Sequence, residues 1–190
     1  MISENDLLYQ TARFYKDHLN NRTFELTIRK KNCTEHIEIR FTPDSFHHLA
    51  GLHKLKDIPQ FQRSSSKVFH EILSGKLTYN DISGSAYLPE MMDRLTFHKE
   101  MFNIMNMKSL FFKSLHGYFK GIAADCVICS EFSEQPLYSF LFLTRSHNAL
   151  LTPVSFFTRN EKTEYTKNGV IWQILSISEI SRTKNKPVRE

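Results

Sequence analysis

Hydrophobic residues recur at every second position over two short stretches, and this limits the fold more than any other feature. Phe24, Leu26 and Ile28 alternate with Glu25, Thr27 and Arg29; after Lys30, Lys31 and Asn32 the alternation resumes with Ile37, Ile39 and Phe41. A period of two puts successive side chains on opposite faces of an extended strand. Two such runs around a short polar turn predict a β-hairpin with one face on a core and one in water.

The period changes on either side of the hairpin. Residues 3–20 carry Leu7, Leu8, Ala12, Phe14, Tyr15 and Leu19 near helical spacing, with Ser3 available as an N-cap and Asn20-Asn21 as a stop. Thr42-Pro43 opens a second helix, which carries Phe46, His47, His48, Leu49 and Ala50 and ends at Gly51. Residues 66–74 predict a short helix closed by Gly75, and residues 86–102 another, bearing Leu88, Met91, Met92, Leu95 and Phe102. Residues 103–112 are apolar enough for either strand or helix. The last third reads as strands near 122–129, 137–144, 150–158 and 169–178, with turns at 133–136, 146–148 and 167–169. The expected class is α+β: an N-terminal helix and hairpin, helices, then a C-terminal antiparallel sheet. We expect one domain over 1–180 and a flexible polar tail over 181–190.

With 41% hydrophobic and 24% charged residues in 190, the chain can bury a core. No stretch approaches 18 uninterrupted apolar residues, which argues against a membrane span, and residues 1–10 lack the pattern of a secretory signal. These features point to a soluble, cytoplasmic protein. Twenty-five Lys and Arg against 20 Asp and Glu give a net charge of +5, which permits an anionic partner without demanding one. The three cysteines, Cys33, Cys126 and Cys129, suggest reduced thiols. Cys126 and Cys129 have CxxC spacing, but they sit in a strand-like run with no second pair. Odd spacing on a strand puts them on opposite faces, as two small hydrophobes of a sheet.

The densest titratable group is His47, His48 and His53 with Lys54 and Lys56. An imidazole titrates near neutral pH and so suits general acid or base work. The alternative is that one of the adjacent pair His47 and His48 packs on the core while the other sits in water. Thr144 and Arg145 emerge at the end of the apolar run 140–143, a rigid place to hold a guanidinium against a phosphate; the alternative is a solvated Arg. Ser155 lies inside an apolar strand, where its hydroxyl can serve a phosphate oxygen or a local backbone group. The chain has no GxSxG, P-loop, GxGxxG, HExxH or EF-hand pattern. It has no acidic cluster of the kind a two-metal nuclease uses, and no helix basic enough to read DNA.

Phe46-His47-His48-Leu49-Ala50-Gly51-Leu52 resembles the F-x-H-L-x-G-[IL] segment of a phage-associated family in the barnase–EndoU–colicin–RelE-like (BECR) nuclease superfamily. Other segments are similar to pieces of that family in the same order. They are the helix from Val68 to the turn at Leu77, the strand start Gly121 to Asp125, the strand Tyr138 to Arg145, and Pro153-Val154-Ser155-Phe156-Phe157. The resemblance spans most of residues 20–178. It implies a ribonuclease-like α+β fold acting on RNA without metal or cofactor, as a phage or mobile-element toxin or effector. Carried onto matching residues, it implies His48 as base or acid, Arg145 as phosphate clamp and Ser155 as supporting donor. His53, Lys54 and Thr144 become substrate contacts, and an immunity or host protein becomes a possible partner. A catalytic protein of this kind should gather His48, Arg145 and Ser155 in one cleft. A non-catalytic interaction protein on the same scaffold, inhibiting a host enzyme or binding RNA, should scatter them.

Overall fold

The computed structural model describes residues 4–132, 136–146, 150–167 and 169–180, and it forms the hairpin where the alternation places it. Strands β1 (Thr23–Lys30) and β2 (Cys33–Arg40) pair antiparallel from Thr23↔Arg40 to Lys30↔Cys33. Leu26, Ile28, Ile37 and Ile39 are buried, while Glu25 and Thr27 are not. Helix α1 (Leu7–His18) starts later than the periodicity suggests. Its cap is Asp6, whose Oδ1 accepts the Tyr9 N–H at 2.8 Å and whose Oδ2 accepts the Tyr79 N–H at 2.7 Å. Ser3, the cap read from sequence, lies outside the described residues. Helix α2 (Pro43–Leu49) has the expected start: Thr42 and Ser45 form a reciprocal capping box, with Pro43 in the first position.

Helix α3 (Ser65–Leu73) follows, then the single turn α4 (Tyr79–Ile82), which the periodicity did not reveal. The helix expected over 86–102 is broken. It comprises a 3-10 turn at Leu88–Glu90, α5 (Met92–Thr96) and α6 (Glu100–Asn103). Pro89 supplies no N–H inside the first turn. Turns at 97–99 join α5 to α6, and the ring Nδ1 of His98 lies 2.7 Å from the Leu95 carbonyl. Of the ambiguous run 103–112, Asn103 ends α6, residues 104–109 are turns and bends, and residues 110–112 open strand β3 (Leu110–Ser114).

A two-stranded ribbon, β4 (Tyr118–Phe119) and β5 (Ile122–Ala123), leads into β6 (Cys126–Glu131), β7 (Tyr138–Arg145) and β8 (Leu151–Arg159). The turn α7 (Thr163–Thr166) and the long strand β9 (Gly169–Glu179) complete the described chain. The hairpin and the C-terminal sheet belong to one closed ring, ordered β1-β2-β8-β7-β6-β3-β9, because β9 pairs with both β1 and β3. Every pairing in the ring is antiparallel except the closing one. There β2 meets β8 in parallel through the single pair Ile39↔Leu151.

The wall of this ring buries both its faces. Cys126, Ile128, Leu141, Leu143, Phe156, Trp172 and Ile174 join the inner core, with Leu8, Ala12 and Tyr15 of α1, Phe46 and Leu49 of α2, and Phe69 of α3. Val127, Cys129, Phe140, Phe142 and Phe157 join an outer core with Phe112 and Phe119, against which Tyr165 of α7 packs. Burial on both sides explains why residues 140–143 are apolar without alternation. It also separates the CxxC thiols as their odd spacing predicts: Cys126 packs inside and Cys129 outside. Burial pushes each thiol pKa up to about 12. No helix among the described residues is long and apolar enough to cross a membrane. The polar tail 181–190 lies outside the described residues.

Candidate active site

Helix α2 ends in a reversal that only glycine accommodates. Gly51 has φ +78°, and a Cβ there would lie 2.9 Å from both Arg94 Cδ and Met91 Cβ. The chain re-enters a 3-10 turn, Leu52–Lys54, which folds His53 back against the end of α2. The His48 and His53 rings are then 5.2 Å apart between centroids, His47 and His48 5.8 Å, and His47 and His53 6.3 Å.

The three imidazoles differ in environment. His47 is 5% exposed, with Nε2 2.8 Å from the Phe61 carbonyl. A carbonyl can only accept, so Nε2 carries the proton and donates. Nδ1 of His47 is buried without a partner, and burial holds the ring pKa below its ordinary value. His48 faces solvent. Thus one of the adjacent pair does pack on the core while the other sits in water. His53 is half-buried, and its Nδ1 has no partner either. Burial first, then the Arg94 charge, then His48 and His47, pull its pKa down to about 4, so the ring is neutral at pH 7.

Beneath these rings lies Arg94 of α5, 3% exposed. One terminal N–H donates to the His48 carbonyl at 3.0 Å, and Nε is buried without a partner. Among the described residues no carboxylate forms an ion pair with it. Burial lowers its pKa to about 10, leaving it cationic at neutral pH. Its guanidinium lies 5.9 Å from the centre of the Phe157 ring, and Arg159 lies over the same ring at 4.8 Å. Arg159 also pairs with Asp93 at 3.3 Å, and that carboxylate accepts the Thr158 N–H at 3.0 Å, tying α5 to β8. Lys54 pairs with Glu90 at 3.2 Å. Five buried side-chain polar atoms lack a partner among the described residues; three of them, on His47, His53 and Arg94, are in this cluster. Unspent hydrogen-bonding capacity so concentrated marks the place where the fold departs from simple packing.

The other sequence candidates lie elsewhere. The Thr144 hydroxyl and the Arg145 backbone N–H both donate to Asp125 Oδ2, at 3.2 and 2.6 Å, which pins the end of β7. The Arg145 side chain is exposed. Arg145 pairs with Leu151 at the start of β8, whereas Arg94 meets β8 at Phe157. At ~3.3 Å per residue those positions are roughly 20 Å apart. Ser155 lies opposite Phe142 on the outer face of the ring, two residues along β8 from Phe157, and no hydrogen bond joins its hydroxyl to the cluster. The structure therefore brings together His48, His53 and Lys54. It leaves Thr144 and Arg145 at the far end of β8. Sequence reasoning missed Arg94, Asp93 and Arg159. The one signal for Arg94 was a cation three residues after Met91, on the flank of an apolar stripe.

Among the described residues no group of three or more His, Cys, Asp or Glu is arranged to hold a metal ion. No curated protein and no solved structure matches the chain. One family model does: residues 7–188 match that of the phage-Barnase-EndoU-ColicinE5/D-RelE like nuclease4 family. The α+β ring with its N-terminal helix agrees with that match, and the chain belongs to this family of phage-type nucleases.

Proposed function

We propose that the protein is a metal-independent endoribonuclease whose active centre is the histidine cluster at the end of α2. The observation that carries this reading is the pairing of a solvent-facing imidazole, His48, with one kept neutral at pH 7, His53, at a ring separation of 5.2 Å. A neutral imidazole accepts a proton and an exposed one exchanges protons with substrate. His53 takes the proton of a ribose 2′-hydroxyl, the 2′-oxygen bonds to the adjacent phosphorus, and the bond to the 5′-oxygen breaks. His48 protonates that leaving oxygen. Lys54, next to His53 in the chain, and Arg159, over the Phe157 ring that Arg94 also faces, supply cations for the phosphate charge. Arg145, Thr144 and Ser155 contribute contacts to RNA away from the scissile bond. In a phage or mobile element such an activity would serve as a cytoplasmic toxin or effector, held in check by an immunity or host protein.

The test is incubation of folded protein with total RNA in EDTA, comparing wild type with His48→Ala, His53→Ala and Arg145→Ala. The expected products end in 2′,3′-cyclic phosphate. Their formation falls roughly 10²- to 10⁴-fold in either histidine variant. Arg145→Ala weakens RNA binding more than cleavage. A second reading has one observation in its favour: His48, Arg145 and Ser155 do not share a cleft. If folded wild type cleaves no RNA, the protein is an interaction module on a nuclease scaffold.

A further inference from the structure

The cluster contains a buried charged group with which no carboxylate among the described residues forms an ion pair. A guanidinium buried this deeply is costly to desolvate unless it is paired. Among the described residues the Arg94 side chain has one hydrogen-bond partner, the His48 carbonyl, and its stem fills the space a side chain at Gly51 would need. Both contacts are to the turn between the two proposed proton-transfer residues. An ordinary core position would be filled by an apolar side chain, as the neighbouring Met91 and Leu95 are.

We propose that Arg94 is the positioning residue of the histidine cluster: by holding the His48 carbonyl and packing under Gly51, it fixes the turn that sets the His53 ring beside that of His48, 5.2 Å away and tilted by 40°. Arg94 does not touch substrate in this arrangement. Its guanidinium is covered by the turn above and by Phe157 beside it. The same position lets its charge act on His53, together with His48 and His47 of α2, against protonation. Asp93 and Glu90, the acids that act on Arg94, temper that charge without reaching ion-pair distance, and Arg159 adds to it. The consequence for catalysis rests on the ribonuclease reading above; the geometry of the turn does not.

Two variants and two readouts test this. Arg94→Met keeps the volume and removes charge and donors. Arg94→Lys keeps the charge and loses the fixed fork. The first readout is the titration of His53 followed by its ring carbon and proton signals in NMR, which needs no activity. In wild type the midpoint is expected near 4. In Arg94→Met it moves up, with burial still holding it below the ordinary value of 6.5, and in Arg94→Lys it stays low. The second readout is RNA cleavage. Both variants lose on the order of 10- to 100-fold in kcat with KM changed little, and the acidic limb of the pH profile moves up in Arg94→Met alone. An unchanged His53 titration in folded Arg94→Met overturns the proposal. So does a loss confined to KM, which would make Arg94 a direct phosphate contact. Wild type without cleavage but with the expected NMR shifts retains the positioning role and removes only the ribonuclease reading.

Discussion

Gly51, at φ +78°, forms the turn between His48 and His53. Its left-handed backbone lets His53 return to α2, and its missing Cβ leaves room for Arg94 and Met91. Gly51→Ala is expected to destabilise the fold by about 1–3 kcal/mol through backbone strain and crowding. Urea unfolding checks this, and cleavage by the folded fraction should fall as well. The histidine run was legible in the sequence because adjacent titratable residues are visible without a structure. What the cluster consists of was not. His47 is withdrawn by the Phe61 carbonyl fourteen residues on, and His53 and Arg94 join His48 only through a turn and a helix contact. Such pairings leave no period in the chain. Arg145 shows the reverse: its place at a strand end was read correctly, but which end of the neighbouring strand faces the histidines depends on the ring.

Elements with a clear period were read well, and elements under tertiary constraint were not. The hairpin and α2 follow from alternation and capping chemistry alone. The segment over 86–102 has a helical apolar stripe, yet Pro89 interrupts it and Asp93 is committed to the backbone of β8. Strand β6 gives the sharpest test at this scale. With Cys126 on the inner face and Cys129 on the outer, the two thiols cannot form a disulfide with each other or share a metal. Both are buried with pKa values pushed to about 12, while Cys33 is exposed on the hairpin. Native protein at pH 8 is expected to react with one equivalent of a thiol reagent, at Cys33, and with three after denaturation. Mass mapping of the alkylated peptides checks it. In the same wall, Phe140→Ala removes a fully buried ring and should cost about 3–5 kcal/mol, measured as a lowered denaturation midpoint.

At the scale of the molecule, three imidazoles withdrawn wholly or partly from water act in one direction. His47, His53 and His98 all have pKa values lowered by burial in the folded state. The unfolded chain therefore binds more protons than the folded one as pH falls below 6.5. The stabilisation from keeping these rings neutral is complete above that value and is lost progressively toward about 4, the His53 midpoint. Denaturation midpoints at pH 7 and pH 5 should differ, the acid one being lower, and His53→Gln should shrink the difference. Equal midpoints would contradict the burial of these rings. The ring topology itself was the least legible feature, since its closure between β2 and β8 rests on one residue pair.

That topology also sets an order of events during synthesis. Strand β9 is the last described element, and it fills the gap between β1 and β3, pairing Phe24 with Glu179 across nearly the whole chain. Contacts so distant in sequence form slowly. A nascent chain can fold its hairpin and helices as they emerge, but the wall stays open along β1 and β3 until β9 leaves the ribosome. If the protein does cut RNA, the ribosome that makes it is shielded from the assembled nuclease until β9 has emerged.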